Sequence, residues 1–296
     1  MVNNPSLDDV TQSFANRETT NLNFLKGVGA TFKRNIKIIM QYKIILLIGF
    51  FNTFIYISLA VFIAKLVPGE EIAADGYIVS SFSFIIAGAL AMDLTTKILM
   101  KSLNSFVSEQ KQGTFETLTT LPFGLKKYCL SEIFFEMIYA IFLFIVYNIP
   151  IFFIFNVFYD VTINIFSILS LLLLVLALLL LFFSLSLLAA NFTILIKRGK
   201  EVAMVIIGIL QLLSGSIFPL YLFPQWLKIV AYASPFTHAV RAIRFCLFGG
   251  GNITDSIVWI SIIILLISAV FLYFLFSWTH KKIYRRIQLK GTVHEY

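Results

Sequence analysis

The chain has 296 residues, a net charge of +8, and a composition that is 59% hydrophobic and only 13% charged, with a mean hydropathy of +0.91. A water-soluble domain of this length carries close to a quarter charged residues, so the composition excludes a soluble enzyme or binding module and points to an integral membrane protein. The surplus of basic residues does not call for nucleic acid, because Lys and Arg gather on one side of a membrane protein and against anionic lipid.

Residues 1–21 are rich in Asn, Ser, Thr and Asp. They hold too little apolar surface to be buried, and they contain no apolar core for a cleavable signal peptide, so a flexible cytoplasmic N-terminus is expected. Over residues 22–41, Leu22, Leu25, Val28, Phe32, Ile36 and Ile39 recur every three or four positions. Lys26, Lys33, Arg34 and Lys37 sit beside that stripe, which predicts a helix lying in the membrane interface with its cations toward lipid phosphates.

Six apolar runs follow, at about 44–65, 76–100, 127–155, 165–196, 202–222 and 254–279. Each is long enough to read as a membrane span, and the fourth exceeds the roughly 30 Å of a hydrocarbon slab. Orientation follows from the basic residues. Nineteen of the 23 Lys and Arg fall in the N-terminal segment, the loops after spans two and four, and the tail. Only Lys65, Lys228, Arg241 and Arg244 fall on the other side. Both termini are therefore expected in the cytoplasm, at the plasma membrane. Cys129 and Cys246 lie near opposite faces on this topology and are not expected to pair.

Between spans two and three lies a polar stretch, Glu109 to Pro122. Phe115, Leu118 and Pro122 share one side, Glu109, Lys111, Gln112 and Glu116 supply a polar surface, Gly113 weakens the helix, and Pro122 ends it. The expectation is a short amphipathic helix on the cytoplasmic surface. Residues 215–251 are the counterpart on the other side. Pro219, Pro224 and Pro235 cut them into pieces too apolar for a free loop, and Trp226 and Tyr232 suit an aromatic belt. His238, Arg241 and Arg244 argue against a plain seventh span, so short re-entrant helices are expected.

Two patterns carry a resemblance. The stretch Glu109–Pro122 reads E-x-x-x-G-T-x-E-x-L-x-x-x-P, and the run Ser214–Arg244 reads SG-x(3)-P-x(4)-P-x-W-L-x(7)-P-x-T-x-A-V-x-x-I-R. With the interfacial helix and six spans, they resemble the permeases of ABC-2 type transporters, most closely the drug-export and nodulation-factor-export subgroup. The resemblance covers nearly the whole chain after residue 21. It implies one transmembrane domain over 22–296, a coupling helix at 109–122, and a dimer with a second copy or a paralogue. It implies a separate nucleotide-binding ATPase subunit that holds ATP and Mg, with Glu109, Gly113, Thr114, Phe115, Glu116, Leu118 and Pro122 at the contact. It assigns Gly215, Pro219, Pro224, Trp226, Pro235, Thr237 and Arg244 to an outer gate. One departure is Lys111, where the family often has an acid two residues before the glycine.

The chain's own chemistry is sparse. No phosphate loop of the form G-x-x-x-x-G-K-[ST] is present, and His238, His280 and His294 form no metal-ligand spacing with Cys or carboxylates. Neither ATP hydrolysis by this chain, nor a metal or cofactor of its own, nor nucleic-acid binding is expected. Asp93, Glu132 and Glu136 are acids near the inner ends of spans two and three. They read first as ion-pair partners of Lys97, Lys126 or Lys127 and second as coupling or substrate residues. Asn148, Asn191 and Gln211 read as bonds between helices. Thirty-two Phe against twelve Tyr and three Trp favour an amphipathic small molecule or lipid-like compound as cargo over a polysaccharide or lipid-linked glycan, whose path would use stacked Trp and Tyr. An ATP-independent carrier or channel would need broken helices in both halves, and only the region near 215–235 is broken.

Overall fold

A computed structural model describes residues 24–66, 71–74, 77–111, 125–155, 165–195, 199–252 and 254–290. The protein is an all-α integral membrane protein that carries, among the described residues, a small antiparallel pair of strands. In chain order the elements are α1 (Phe24–Gln41), α2 (Lys43–Leu66), β1 (Glu71–Ala74), β2 (Tyr77–Ser80), α3 (Ser81–Lys111), α4 (Leu125–Phe155), α5 (Ile165–Leu195), α6 (Gly199–Leu213), a 3-10 turn at Leu220–Leu222, α7 (Gln225–Ala233), α8 (Pro235–Phe248) and α9 (Ser256–Lys290). Among the described residues, α2, α3, α4, α5 and α9 are long and apolar enough to cross a bilayer. They form an up-and-down bundle whose hydrogen-bonded backbones need no water.

The segment expected as a fifth span at 202–222 takes a different form. Its helix, α6, is 15 residues long and stops at Leu213. At about 1.5 Å per residue that reaches only ~22 Å, less than the hydrocarbon thickness. The reason is local. Gly215 has φ +69°, a left-handed conformation that ends the helix, and Pro219 forbids its resumption. The second apolar run also differs from its expected bounds. Residues 77–80 are the second strand of an antiparallel hairpin, with Glu71 opposite Ser80 and Ala74 opposite Tyr77. The helix begins at Ser81, where Ser80 Oγ accepts the Ser83 N–H at 3.1 Å as an N-cap. It then runs on to Lys111, past the expected end at 100.

The largest core cluster joins α3, α4, α5, α8 and α9 through side chains such as Ile98, Ala140, Leu181, Phe236 and Leu265. Phe236, at the start of α8, packs on Phe182 half-way along α5, with ring centroids 5.5 Å apart. Phe248, at the end of α8, packs with Val79 of the hairpin and Phe84. The helix α8 therefore climbs from the middle of the bundle to its hairpin end, flanked by α3, α5 and α9. Cys129 in α4 and Cys246 in α8 are both buried and free.

The three side-chain amides all bridge helices. Asn148 on α4 donates to Asp93 on α3 at 3.0 Å, Asn191 on α5 donates to Thr279 on α9 at 2.8 Å, and Gln211 on α6 donates to Thr96 on α3 at 2.8 Å.

The tightest backbone approach lies between α3 and the turn after α6. A Cβ on Gly88 would sit 1.8 Å from Ser216 O, whereas nothing lies within 4 Å of a Cβ on Gly208. Gly88→Ala should therefore lower stability by about 1–3 kcal/mol through forced backbone displacement. Gly208→Ala, on an exposed face of α6, should be neutral or raise stability by up to about 1 kcal/mol. Thermal unfolding of the two variants in one detergent checks the contrast; equal midpoints would mean that the turn does not pack on α3 in this way.

Candidate functional site

Two clusters of buried polar side chains hold the bundle, one near each end. The first begins on α1. Its apolar stripe does not simply face the protein: Thr31 and Asn35 are buried against α4, Phe32 and Ile39 pack beside them on the Phe135–Tyr139–Tyr147 cluster, and Ile36 is exposed. This arrangement turns Arg34 inward. Arg34 was grouped with Lys26, Lys33 and Lys37 as a cation facing lipid phosphate, but it forms ion pairs with Glu109 at 2.9 Å and Glu132 at 3.1 Å. A guanidinium whose planar fork can serve two carboxylates at once is held better by them than by a mobile headgroup.

The rest of the cluster completes the pairing. Asn35 Nδ2 donates to both carboxylate oxygens of Glu132, at 3.0 and 3.1 Å, and Arg34 Nε donates to Asn35 Oδ1 at 3.1 Å. The Tyr128 hydroxyl accepts from Arg34 at 2.9 Å and donates to Glu109 Oε1 at 3.0 Å. Arg34, Glu109, Tyr128 and Glu132 thus lock together α1, the last turn of α3 and the first turns of α4. Burial alone would lower the Arg34 pKa, but Glu132, Tyr128 and Glu109 outweigh it and hold the group above its ordinary value.

Of the residues assigned to the coupling helix, Glu109 therefore lies in α3 and belongs to this junction. Gly113, Thr114, Phe115, Glu116, Leu118 and Pro122 lie outside the described residues. The junction nevertheless brackets them, because Glu109 precedes the segment and Tyr128 and Glu132 follow it. The three intramembrane acids separate in role. Glu132 pairs with α1 rather than with Lys126 or Lys127. Asp93 pairs with Lys97, one turn further along α3, and accepts from Asn148. Glu136 makes no ion pair among the described residues, and its Oε2 is buried without a hydrogen-bond partner.

The second cluster centres on Arg244 of α8, which is 5% exposed. Its Nε donates to Phe84 O at 3.2 Å, and Nη2 donates to Gly215 O at 3.1 Å and Ser216 O at 3.0 Å. The guanidinium lies 3.5 Å from the Phe84 ring centroid, in cation–π range. The Thr237 hydroxyl bonds Ala231 O at 2.6 Å and Leu213 O at 3.2 Å. Gly215, Thr237 and Arg244 of the expected outer segment are thereby brought together. Pro219 and Pro224 stand at the N-caps of the 3-10 turn and α7, Pro235 opens α8, and Trp226 is exposed on α7. Phe84 and Gly88, the α3 residues that receive this cluster, had no signal in the sequence beyond their place at one end of an apolar run.

Among the described residues, no group of His, Cys, Asp and Glu is able to hold a metal. What the two clusters can do is fix three helices at one end of the bundle and three segments at the other. Residues 27–248 match the family model described as ABC-2 type transporter. No curated protein matches the chain.

Truncating the buried Glu132 takes one of two carboxylates from Arg34, which keeps Glu109, and removes both acceptors of Asn35 Nδ2. Glu132→Ala should cost about 1–3 kcal/mol. In a double-mutant cycle with Arg34→Ala, the coupling energy should be roughly 1–3 kcal/mol. Denaturant unfolding of the purified chain measures both, and a coupling near zero would dismiss the junction as incidental.

Proposed function

The chain belongs to the ABC-2 type transporter family, and we propose from that premise that it is the membrane permease of an ATP-driven exporter, which works with a separate ATPase subunit and moves an amphipathic small molecule or lipid-like compound out of the cytoplasm. The observation that carries this reading is the junction of Arg34, Glu109, Tyr128 and Glu132. It ties the two helices that flank the coupling segment to each other and to α1. A push on residues 113–122 is then delivered to α1, α3 and α4 together rather than absorbed by one flexible end.

The proposed cycle follows from that coupling. ATP draws two ATPase subunits together, and the segment from Gly113 to Pro122, seated in a cleft of the ATPase, shifts with its subunit. The 31-residue α3 carries the shift along the bundle toward Phe84 and Gly88, where Arg244 and the turn after α6 are fastened. The permease needs two packings of similar energy, and nucleotide biases them only as far as the partner binds the two differently. The path runs between this chain and a second copy or a paralogue, with both termini on the cytoplasmic side. The exposed apolar face of α6 and α7, including Val205, Ile209, Trp226 and Ile229, provides surface for such a neighbour or for lipid.

Purification of the chain from its native membrane should bring down an ATP-hydrolysing subunit. Glu116→Ala and Gly113→Pro should leave insertion and stability intact while reducing transport-linked ATPase activity at least about tenfold, the loss expected when a contact realised only in one state is removed. A chain that elutes alone, transports on an ion gradient and tolerates both changes would replace the exporter with a secondary carrier.

A further inference from the structure

A second feature of the bundle is independent of ATP coupling. The start of α2 leaves a gap beside α3 and α4: the buried residues of α2 are Thr53, Ile57, Ala60, Val61 and Ala64, none before Thr53, while Leu46 and Phe50 meet α4 at Tyr147. Two contiguous cavities of about 330 Å³ and about 480 Å³ fill the gap, sharing Ile45, Lys101 and Tyr139 as walls. Their size falls in the range of roughly 300–1,000 Å³ typical of small-molecule sites. They open at the end of the bundle that carries α1, beside the exposed apolar residues Ile44, Ile48 and Phe51.

The charges lining this groove are almost fully paired. Lys97 is held by Asp93 and by Thr53 Oγ1, and Arg34 by Glu109 and Glu132. Two groups are left. Lys101 lies with its ammonium 4.6 Å from the Tyr139 ring centroid and makes no hydrogen bond or ion pair among the described residues. Glu136, across the same cavity on α4, has a buried Oε2 with no partner. Lys101 and Glu136 attract each other across the cavity without touching, and such a separated pair is satisfied fully only by a group that bridges it. An anion would serve Lys101 and be repelled by Glu136; a cation would do the reverse. A zwitterion serves both. A carboxylate such as Glu136 accepts hydrogen bonds from N–H donors, which a primary ammonium has and a quaternary ammonium lacks.

We propose that this groove binds the headgroup of a primary-amine zwitterionic phospholipid, phosphatidylethanolamine in class, with its ammonium on Glu136, its phosphate on Lys101, and its acyl chains along the exposed face of α2.

The test uses the full chain in nanodiscs holding equal parts phosphatidylethanolamine, phosphatidylcholine and phosphatidylglycerol, with the lipids retained after detergent extraction read by native mass spectrometry. The wild type should retain phosphatidylethanolamine over both others. Glu136→Gln and Lys101→Met should each lower that preference by about tenfold, the loss of one charge-assisted contact, while Lys101→Arg should keep most of it. Ile45→Trp, at an exposed position on the shared wall, should fill the groove and abolish the preference without touching either charge. Lys282→Gln removes a lysine that sits on Trp278 elsewhere and should change nothing. Equal retention of the ethanolamine and choline lipids, a preference for phosphatidylglycerol, or an ethanolamine preference that survives in both Glu136→Gln and Ile45→Trp overturns the proposal. None of these readouts depends on ATP or on an ATPase partner.

Discussion

A guanidinium keeps its charge at any pH a cell reaches, so wherever this chain buries one, the surroundings must supply acceptors. Among the described residues, Arg34 and Arg244 are supplied by two different routes. Arg34 enters from the side on α1 and meets two carboxylates. Arg244 is enclosed in the bundle and meets three backbone carbonyls instead, with an aromatic face beneath it. The second solution explains the interrupted helix α6. A helix that stops at Leu213, short of the end of the bundle, releases carbonyls that water would normally satisfy. Two of the carbonyls in the turn that follows are taken up by Arg244, and Thr237 reaches back to Leu213 O. The broken backbone is tolerated there because α8 delivers the donors.

Both clusters converge on α3. Its last turn supplies Glu109 and its first turns supply Phe84 and Gly88, while Asp93 and Thr96 between them receive Asn148 and Gln211. This is the most deeply enclosed of the long helices, where α2 and α9 leave most of their surface outward. A buried helix fastened by polar contacts along its length moves as a unit or not at all, since each contact broken without replacement leaves a desolvated group. The apolar contacts of the core carry no such penalty for sliding by a fraction of an ångström. Direction along the bundle is thus set by the polar contacts, and bulk cohesion by Phe, Leu and Ile.

The apolar runs were legible because bilayer spans are written in composition, and among the described residues five helices are long and apolar enough to cross a bilayer. The prolines at 219, 224 and 235, legible as breaks in the outer segment, stand at the starts of the 3-10 turn, α7 and α8. What escaped was everything decided by neighbours. The hairpin at 71–80 had a signal in the Asp75–Gly76 pair between two short strands, but the apolar run that follows masked it. The Asp93–Lys97 pair was readable as an i,i+4 pair on one helix face. The inward turn of Arg34 was not, because Glu109 and Glu132 lie 75 and 98 positions away and the sequence offers Lys126 and Lys127 much closer to hand. Nor were the partners of Arg244, since backbone carbonyls have no letter in a sequence.

The unevenness of the packing bears on how such a molecule moves. The core that joins α3, α4, α5, α8 and α9 is continuous. In contrast, α2 is held at its second half by an apolar cluster with α3 and α4, and at its first half by Leu46 and Phe50 on the aromatic face of α4 and by the Tyr147 hydroxyl, which donates to Leu46 O at 2.8 Å. One hydrogen bond of this kind contributes about 1 kcal/mol, within reach of thermal opening, while the apolar cluster does not yield as easily. The first half of α2 is therefore the most sparingly buried stretch of the long helices beside that core. Yet α1 is the element pinned by Arg34 to the end of α3. A displacement at that pin that the core does not absorb would bear on the first half of α2, and so on the groove between α2 and α4.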